Sequence, residues 1–346
     1  MMRSTMLLLS LALLLAGCWP SSCRREEPTA LLPSDSLSRQ IAATVPFDTL
    51  RLNWTVSATE SLPLKRPRTV QFGPDGLLYI SDAEQHLLAV LDTTGALRDT
   101  LQPANLRYPY LAGFHGDTLV VLAPEARQLV LIVERRVVQR IALPALLPDR
   151  ALLYAVATPK GYFVKAVREG QEGVLVQLDR KGRIVRQQKL PEPYWRYAGF
   201  LRPWGDVLLS LAGFRPVIDR WWPDGQLDTL ALVGFDSPML ARSRAFLVGE
   251  VHEAPLLTSS AVPVDSLLFV LNLRPGWVQI DVFGLSDGRL RHRLITAAQR
   301  LNRRFYPHDL AVQCRNATCL LVVVLNDPEA RIVAYRWTPP GNSTAP

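Results

Sequence analysis

Residues 47–338 are predicted to fold as an all-β, six-bladed β-propeller closed by an N-terminal strand that completes the last blade. Three observations lead there. The body alternates short β-rich runs with Gly, Pro and Asp turns and shows almost no helical period. Its glycine turns recur: "LDTTGAL" (91–97), "LDRKGRI" (178–184), "WPDGQL" (222–227) and "LSDGRL" (285–290) each set a Gly before a polar–aliphatic pair. Gly182 and Gly225 lie 43 residues apart, and Gly95 and Gly182 lie 87 apart, two such periods. The turn between them, in "VLIVERRVVQRIAL", has lost its glycine. Finally, "DTL" follows a turn at 99–101 and 228–230 but stands alone at 48–50, a strand ending displaced to the other end of the chain.

The elements follow in chain order. "MMRSTMLLLSLALLLAGC" has a basic start and an apolar run from Met6 to Leu15, too short to span a bilayer and in signal-peptide proportion. Its ending, Leu15-Ala16-Gly17-Cys18, resembles the lipobox of bacterial lipoproteins. That resemblance implies that 1–17 is a lipoprotein signal peptide, cleaved before Cys18, whose thiol is diacylated and whose freed amine is acylated. Several acyl chains give stable anchoring where one would be marginal. Residues 18–46 are rich in Pro, Ser and charge and read as a lipidated tether.

Six strand–turn–strand landmarks follow: 71–82, 113–123, 157–167, 201–211, 262–272 and 312–325. Each opens a unit of four strands, a to d, and units of 40–50 residues with four strands indicate a β-propeller. The sixth unit lacks its strand d, because after "RIVAYRWT" (331–338) only the tail 339–346 remains. "FDTLRLNWTV" (47–56) supplies it, which leaves no open edge between first and last blade. The span from Gly225 to Gly288 is about 20 residues over the period, placing an insertion near 233–255. The basic stretch 289–305 is a further candidate docking surface.

The first unit, "RPRTVQFGPDGLLYISDAEQHLLAVLDTTGAL", resembles the NHL repeat of six-bladed propellers. It carries the Pro before strand a (Pro67), the "PDG" turn and "YISD", with Gln85 where the repeat usually has Asn. The last unit echoes it weakly in "YPHDLAV" and "LNDPEARIVAY". The resemblance implies that Asp82 caps its loop, a structural role.

Formal charge is +8 and the pI about 9.6, but the basic residues, mostly Arg, are scattered. With export, that argues against a nucleic-acid partner. Cys314 and Cys319 bracket "RNAT" between two strand-like runs, where a four-residue hairpin loop would set them opposite for a disulfide. No HExxH, GxSxG or P-loop pattern occurs, and the five histidines lie far apart, so no catalytic residue, cofactor or metal set is read.

Ring geometry points to a site nonetheless. Strands a line the channel, and the residues that begin them face one mouth. Aligning on the preceding Pro gives Arg68, Tyr110 and His308; aligning "AGF" at 112–114 with "AGF" at 198–200 adds Arg196 and Tyr197. Two guanidiniums, a phenol and an imidazole suit an anionic or carbohydrate ligand. The reading is therefore a lipid-anchored, monomeric binding or scaffolding propeller of the bacterial cell envelope, on the periplasmic or outer-membrane side. Its partners would be the membrane through the lipid, and an envelope protein or an anionic or carbohydrate ligand. The alternative is a metal-dependent lactonase- or lyase-like enzyme working in the channel.

Overall fold

The computed structural model describes residues 35–191, 193–274, 277–296, 307–326 and 329–340. Residues 1–17, read above as a signal peptide, lie outside these residues together with Cys18 and Cys23, as does 297–306 of the basic stretch. Among the described residues no helix is long and apolar enough to cross a membrane.

Helix α1 (Asp35–Thr44) and strand β1 (Phe47–Ser57) precede four antiparallel sheets. The first holds β2 (Pro67–Phe72), β3 (Leu78–Asp82), β4 (Leu87–Leu91) and β5 (Leu97–Leu101). The second holds β6 (Tyr110–His115), β7 (Thr118–Ala123), β8 (Gln128–Val133) and β9 (Arg136–Ala142). The third holds β10 (Leu152–Thr158), β11 (Gly161–Arg168), β12 (Gln171–Leu178) and β13 (Ile184–Leu190). The fourth holds β14 (Leu201–Trp204), β15 (Val207–Leu211), β16 (Val217–Trp221) and β17 (Leu227–Ala231). After α2 (Leu240–Leu247) come β18 (Thr258–Val264), β19 (Leu267–Arg274), β20 (Trp277–Gly284) and β21 (Leu290–Thr296). The chain closes with β22 (Leu310–Arg315), β23 (Thr318–Leu325) and β24 (Arg331–Trp337).

The architecture is an all-β propeller. The first strands form a closed cycle, β2 against β6, then β10, β14, β18 and β22, and back to β2. The last seven strands and β1 make one eight-stranded sheet, ordered β18-β19-β20-β21-β1-β24-β23-β22, where six separate sheets were expected. The cause is the length of β1. Its residues Arg51–Ser57 pair antiparallel with β24, and its first four, Phe47–Leu50, pair parallel with β21. The displaced "DTL" thus lies on β21, and its leucine is buried as in the other two copies: Leu50, Leu101 and Leu230.

Six apolar cores among the described residues alternate with these layers. β22–β24 contribute to two of them: Leu321, Val323 and Leu325 pack toward β19 and β20, whereas Val322, Val324 and Ile332 pack toward β2–β4. With both faces buried, "LLVVVL" is continuously apolar rather than alternating.

The turn glycines carry a second regularity. Gly95, Gly182, Gly225 and Gly288 all have positive φ, between 65° and 92°. Each also abuts the outer strand of the preceding unit: Gly182 faces Ile141 on β9, Gly225 faces Arg186 on β13, and Gly288 faces Ala231 on β17. Gly95 faces Trp54 and Val56 on β1, where a Cβ would sit 2.9 Å from Trp54 Cδ2. Glycine is needed twice over, for the backbone and for the close approach. In the turn that lost its glycine, Glu134 and Arg135 take positive φ instead.

Two expectations change. Residues 35–44 are helix rather than tether: Ser38, Ile41 and Ala42 are buried, Ser38 Oγ accepts from Gly234 N, and Arg293 donates to the Ala42 carbonyl. The amphipathic stretch is too short to be stable alone and is held by docking against β17 and β21. The cysteine hairpin has a two-residue turn, Asn316–Ala317, and Cys314 and Cys319 are directly paired and disulfide-bonded.

Candidate functional site

The mouth where the first strands begin holds a cavity of about 400 Å³. Residues from all six first strands or the segments leading into them line it. Arg68 follows Pro67 at the start of β2, Tyr110 opens β6, and His308 stands just before β22 with its N–H donated to the Val324 carbonyl. Arg68 Nη1 lies 3.2 Å from His308 Nδ1. A guanidinium can only donate, so Nδ1 accepts and the imidazole proton is assigned to Nε2. Burial, then the charges of Arg68 and Arg66, push the His308 pKa down to about 4. The ring is neutral at pH 7 and stands in a positive field.

Facing this polar corner are Tyr154, Phe200 and Phe214, from the third and fourth units. Leu111, Leu122, Leu152, Leu153 and Leu256 fill much of the remaining wall. Behind Tyr154, Lys165 is fully buried, its Nζ 2.8 Å from Ser210 Oγ and 5.0 Å from the Tyr154 ring centre. Desolvation pushes that lysine down to about 7, opposed by Asp219.

One or two residues deeper along the same strands lies a buried ion pair. Arg202 Nη2 donates to Asp309 Oδ1 at 2.9 Å, and Ser260 Oγ donates to the same oxygen at 2.5 Å. Asp309 Oδ2 accepts from Val70 N at 2.9 Å. This ion pair spans from β14 to the residue just before β22 and ties in β18 and β2. Burial raises the Asp309 pKa while Arg202 opposes it.

The structure gathers Arg68, Tyr110 and His308 as anticipated, but not Arg196 and Tyr197. Arg196 ends a single 3-10 turn, Tyr194–Arg196, and its carbonyl accepts from Arg215 Nε. Tyr197 is buried in the core between the third and fourth units, near Arg215. The two "AGF" triplets are out of register. Counted back from the turns at Gly116 and Gly205, the residue in the place of Tyr110 is Gly199, which does line the cavity. The aromatic wall and the Arg202–Asp309 pair were not foreseen, since nothing local marks those positions.

Other singled-out residues are structural. Asp82 is fully buried and accepts four backbone N–H bonds, from Lys65, Arg66, Glu84 and Gln85. The 233–255 insertion forms α2, whose Phe246 packs edge-on against Trp195 at 5.2 Å. A smaller cleft of about 100 Å³ opens at the opposite end between the third and fourth sheets, lined by Phe163, Trp221 and Trp222.

No family model and no curated protein matches the sequence. Solved structures do resemble the fold. A streptogramin B lyase structure is 16% identical, covering 83% of this chain and 88% of that one at a TM-score of 0.50. A catalytically inactive histidine-to-alanine virginiamycin B lyase from Staphylococcus aureus, with quinupristin, is 14% identical, covering 83% and 88% at 0.51. Selenomethionine-substituted virginiamycin B lyase from the same organism is 13% identical, covering 84% and 89% at 0.51. At these identities the likeness is one of fold.

Proposed function

We propose that the chain is a lipid-anchored, six-bladed propeller of a bacterial cell envelope that binds its ligand at the channel mouth through Arg68, Tyr110 and His308. The observation that carries this reading is their convergence, from three different units, on one cavity above a buried ion pair. A preformed, mostly apolar concavity with a few convergent polar groups is the usual form of a ligand site.

Six blades is the count that the repeated contacts support. The cycle has six first strands, and six apolar cores separate the layers. Gly95 meets β1 as the later turn glycines meet the preceding outer strand, so β1 serves as strand d of the sixth blade. Its extra pairing with β21 extends the bridge seen between Val233 and Arg289 one unit earlier. The lipid anchor rests on the lipobox-like ending at Cys18, with residues 18–34 as the tether before α1.

A lyase-like activity is the second reading, favoured by a histidine at the mouth and by the lyase propellers of similar fold. Binding is preferred because a base of pKa about 4 drives proton abstraction poorly near neutrality, and among the described residues no Asp or Glu lines the cavity.

A ligand screen by thermal shift tests the site. Hits should raise the melting temperature of the parent and of a Phe163→Leu variant in the opposite cleft, and fail with Arg68→Gln. Hits lost with Phe163→Leu and kept with Arg68→Gln would remove the mouth as the site. For the anchor, Cys18→Ala should move the protein from the membrane to the soluble fraction, and unchanged association would defeat the lipobox reading.

A further inference from the structure

The cavity is cationic on one side only. Its cationic corner comes from β2 and the approach to β22, adjacent in the cycle of first strands. Across that cycle, the third and fourth units supply Tyr154, Phe200 and Phe214. Leucines occupy much of the wall between and offer no hydrogen bonds; Thr258 and Ser259 add two hydroxyls there, too few for a sugar's full set. A polyhydroxylated sugar placed here would leave most of its hydroxyls unpaired, at a cost for each.

The charge is equally one-sided. Among the described residues no Asp or Glu lines the cavity, and Arg68 forms no ion pair with a carboxylate. The nearest acid in sequence to His308 is Asp309, and its oxygens are committed to Arg202, Ser260 and Val70. The positive field that depresses His308 is therefore not cancelled by an acid in the lining. One guanidinium matches a monoanion better than a phosphate dianion, which wants more donors.

Resting on the mouth-site reading above, we infer that the cavity takes a compact amphiphilic carboxylate. Its single anionic head meets Arg68 and its flat apolar body, about a dozen non-hydrogen atoms for this volume, lies against Tyr154, Phe200 and Phe214. The head selects by charge and the body by burial, so neither a neutral analogue nor a polar anion satisfies both ends.

Isothermal titration of the full chain with three probes of similar size tests this: 2-naphthylacetate, neutral 2-naphthylethanol and glucuronate. The naphthyl acid should bind, with the alcohol and glucuronate each weaker by roughly ten- to a hundredfold. Arg68→Gln should lower the acid to the level of the alcohol, leaving the alcohol and the melting temperature unchanged. Leu152→Trp, at a half-exposed wall position, should block both naphthyl probes. Equal affinity for acid and alcohol, or no binding of the acid, would overturn the inference. Tighter glucuronate binding that Arg68→Gln abolishes would overturn the ligand class but leave the mouth site standing. Naphthylacetate binding indifferent to both variants would overturn the class and the site together.

Discussion

Arg202 and Arg68 sit on first strands of the same propeller, a residue or two apart in depth, and their surroundings differ in kind. Arg202 is nine-tenths buried and ion-paired with the fully buried Asp309, whose remaining capacity goes to Ser260 and Val70. Arg68 is half-buried against a neutral imidazole, with no acid among the described residues of the cavity it lines. One guanidinium is satisfied by the protein. The other is left with charge to offer at an apolar concavity. The same residue type, repeated around one ring, makes a buried ion pair at one level and a recognition group at the next.

Breaking the buried pair should have the largest effect. Asp309→Ala leaves Arg202 buried without its counter-charge, which costs about 3–5 kcal/mol in denaturant unfolding. Arg68→Gln should change stability by no more than about 1 kcal/mol. The double variant Arg202→Leu with Asp309→Leu should lose less than the sum of the single changes, because the two groups share one interaction. Equal losses at Arg68 and Asp309 would erase the distinction between buried pair and mouth.

Acid comes next. His308 has a folded pKa of about 4, below its ordinary value of 6.5. As pH falls from 6.5 toward 4 the unfolded chain takes up a proton that the folded one refuses, so stability declines across that window and levels off below it. The contribution is at most about 3 kcal/mol. Asp281, buried with its pKa raised from 3.8 to about 6, works the other way: stability falls as pH rises from about 4 to 6. The whole-protein profile mixes the two. The difference between parent and His308→Gln isolates the histidine, and identical profiles would show that its imidazole is not held neutral by the mouth.

The smallest effect is at the far end of β22, the strand that follows His308 and Asp309. Reducing the Cys314–Cys319 disulfide should cost about 2 kcal/mol. It should leave ligand affinity at the mouth unchanged, since that hairpin is at the opposite end of the strand. A loss of affinity on reduction would couple the two ends and blur the separation of roles.

The sequence was most informative where structure is local. Turn glycines at 95, 182, 225 and 288 mark the period because each must adopt positive φ and meet the preceding outer strand. Arg68, Tyr110 and His308 were found because a Pro precedes each at the entry to its first strand. Arg196 and Tyr197 were misplaced because two identical triplets fall at different distances from their turns, and a register error moves a residue out of the channel. Arg202 and Asp309 are 107 residues apart, and their pairing has no local signature. The helix at 35–44 went unread for a related reason: only Ser38, Ile41 and Ala42 are buried, and its partners Gly234 and Arg293 come from distant units.

The most direct test of the central claim is a crystal structure of the full chain with 2-naphthylacetate. The expected density places the carboxylate within hydrogen-bonding distance of Arg68 and the rings against Tyr154, Phe200 and Phe214, with the Arg202–Asp309 pair intact beneath. Density in the cleft beside Phe163 and Trp221, or a carboxylate turned away from Arg68, would contradict it.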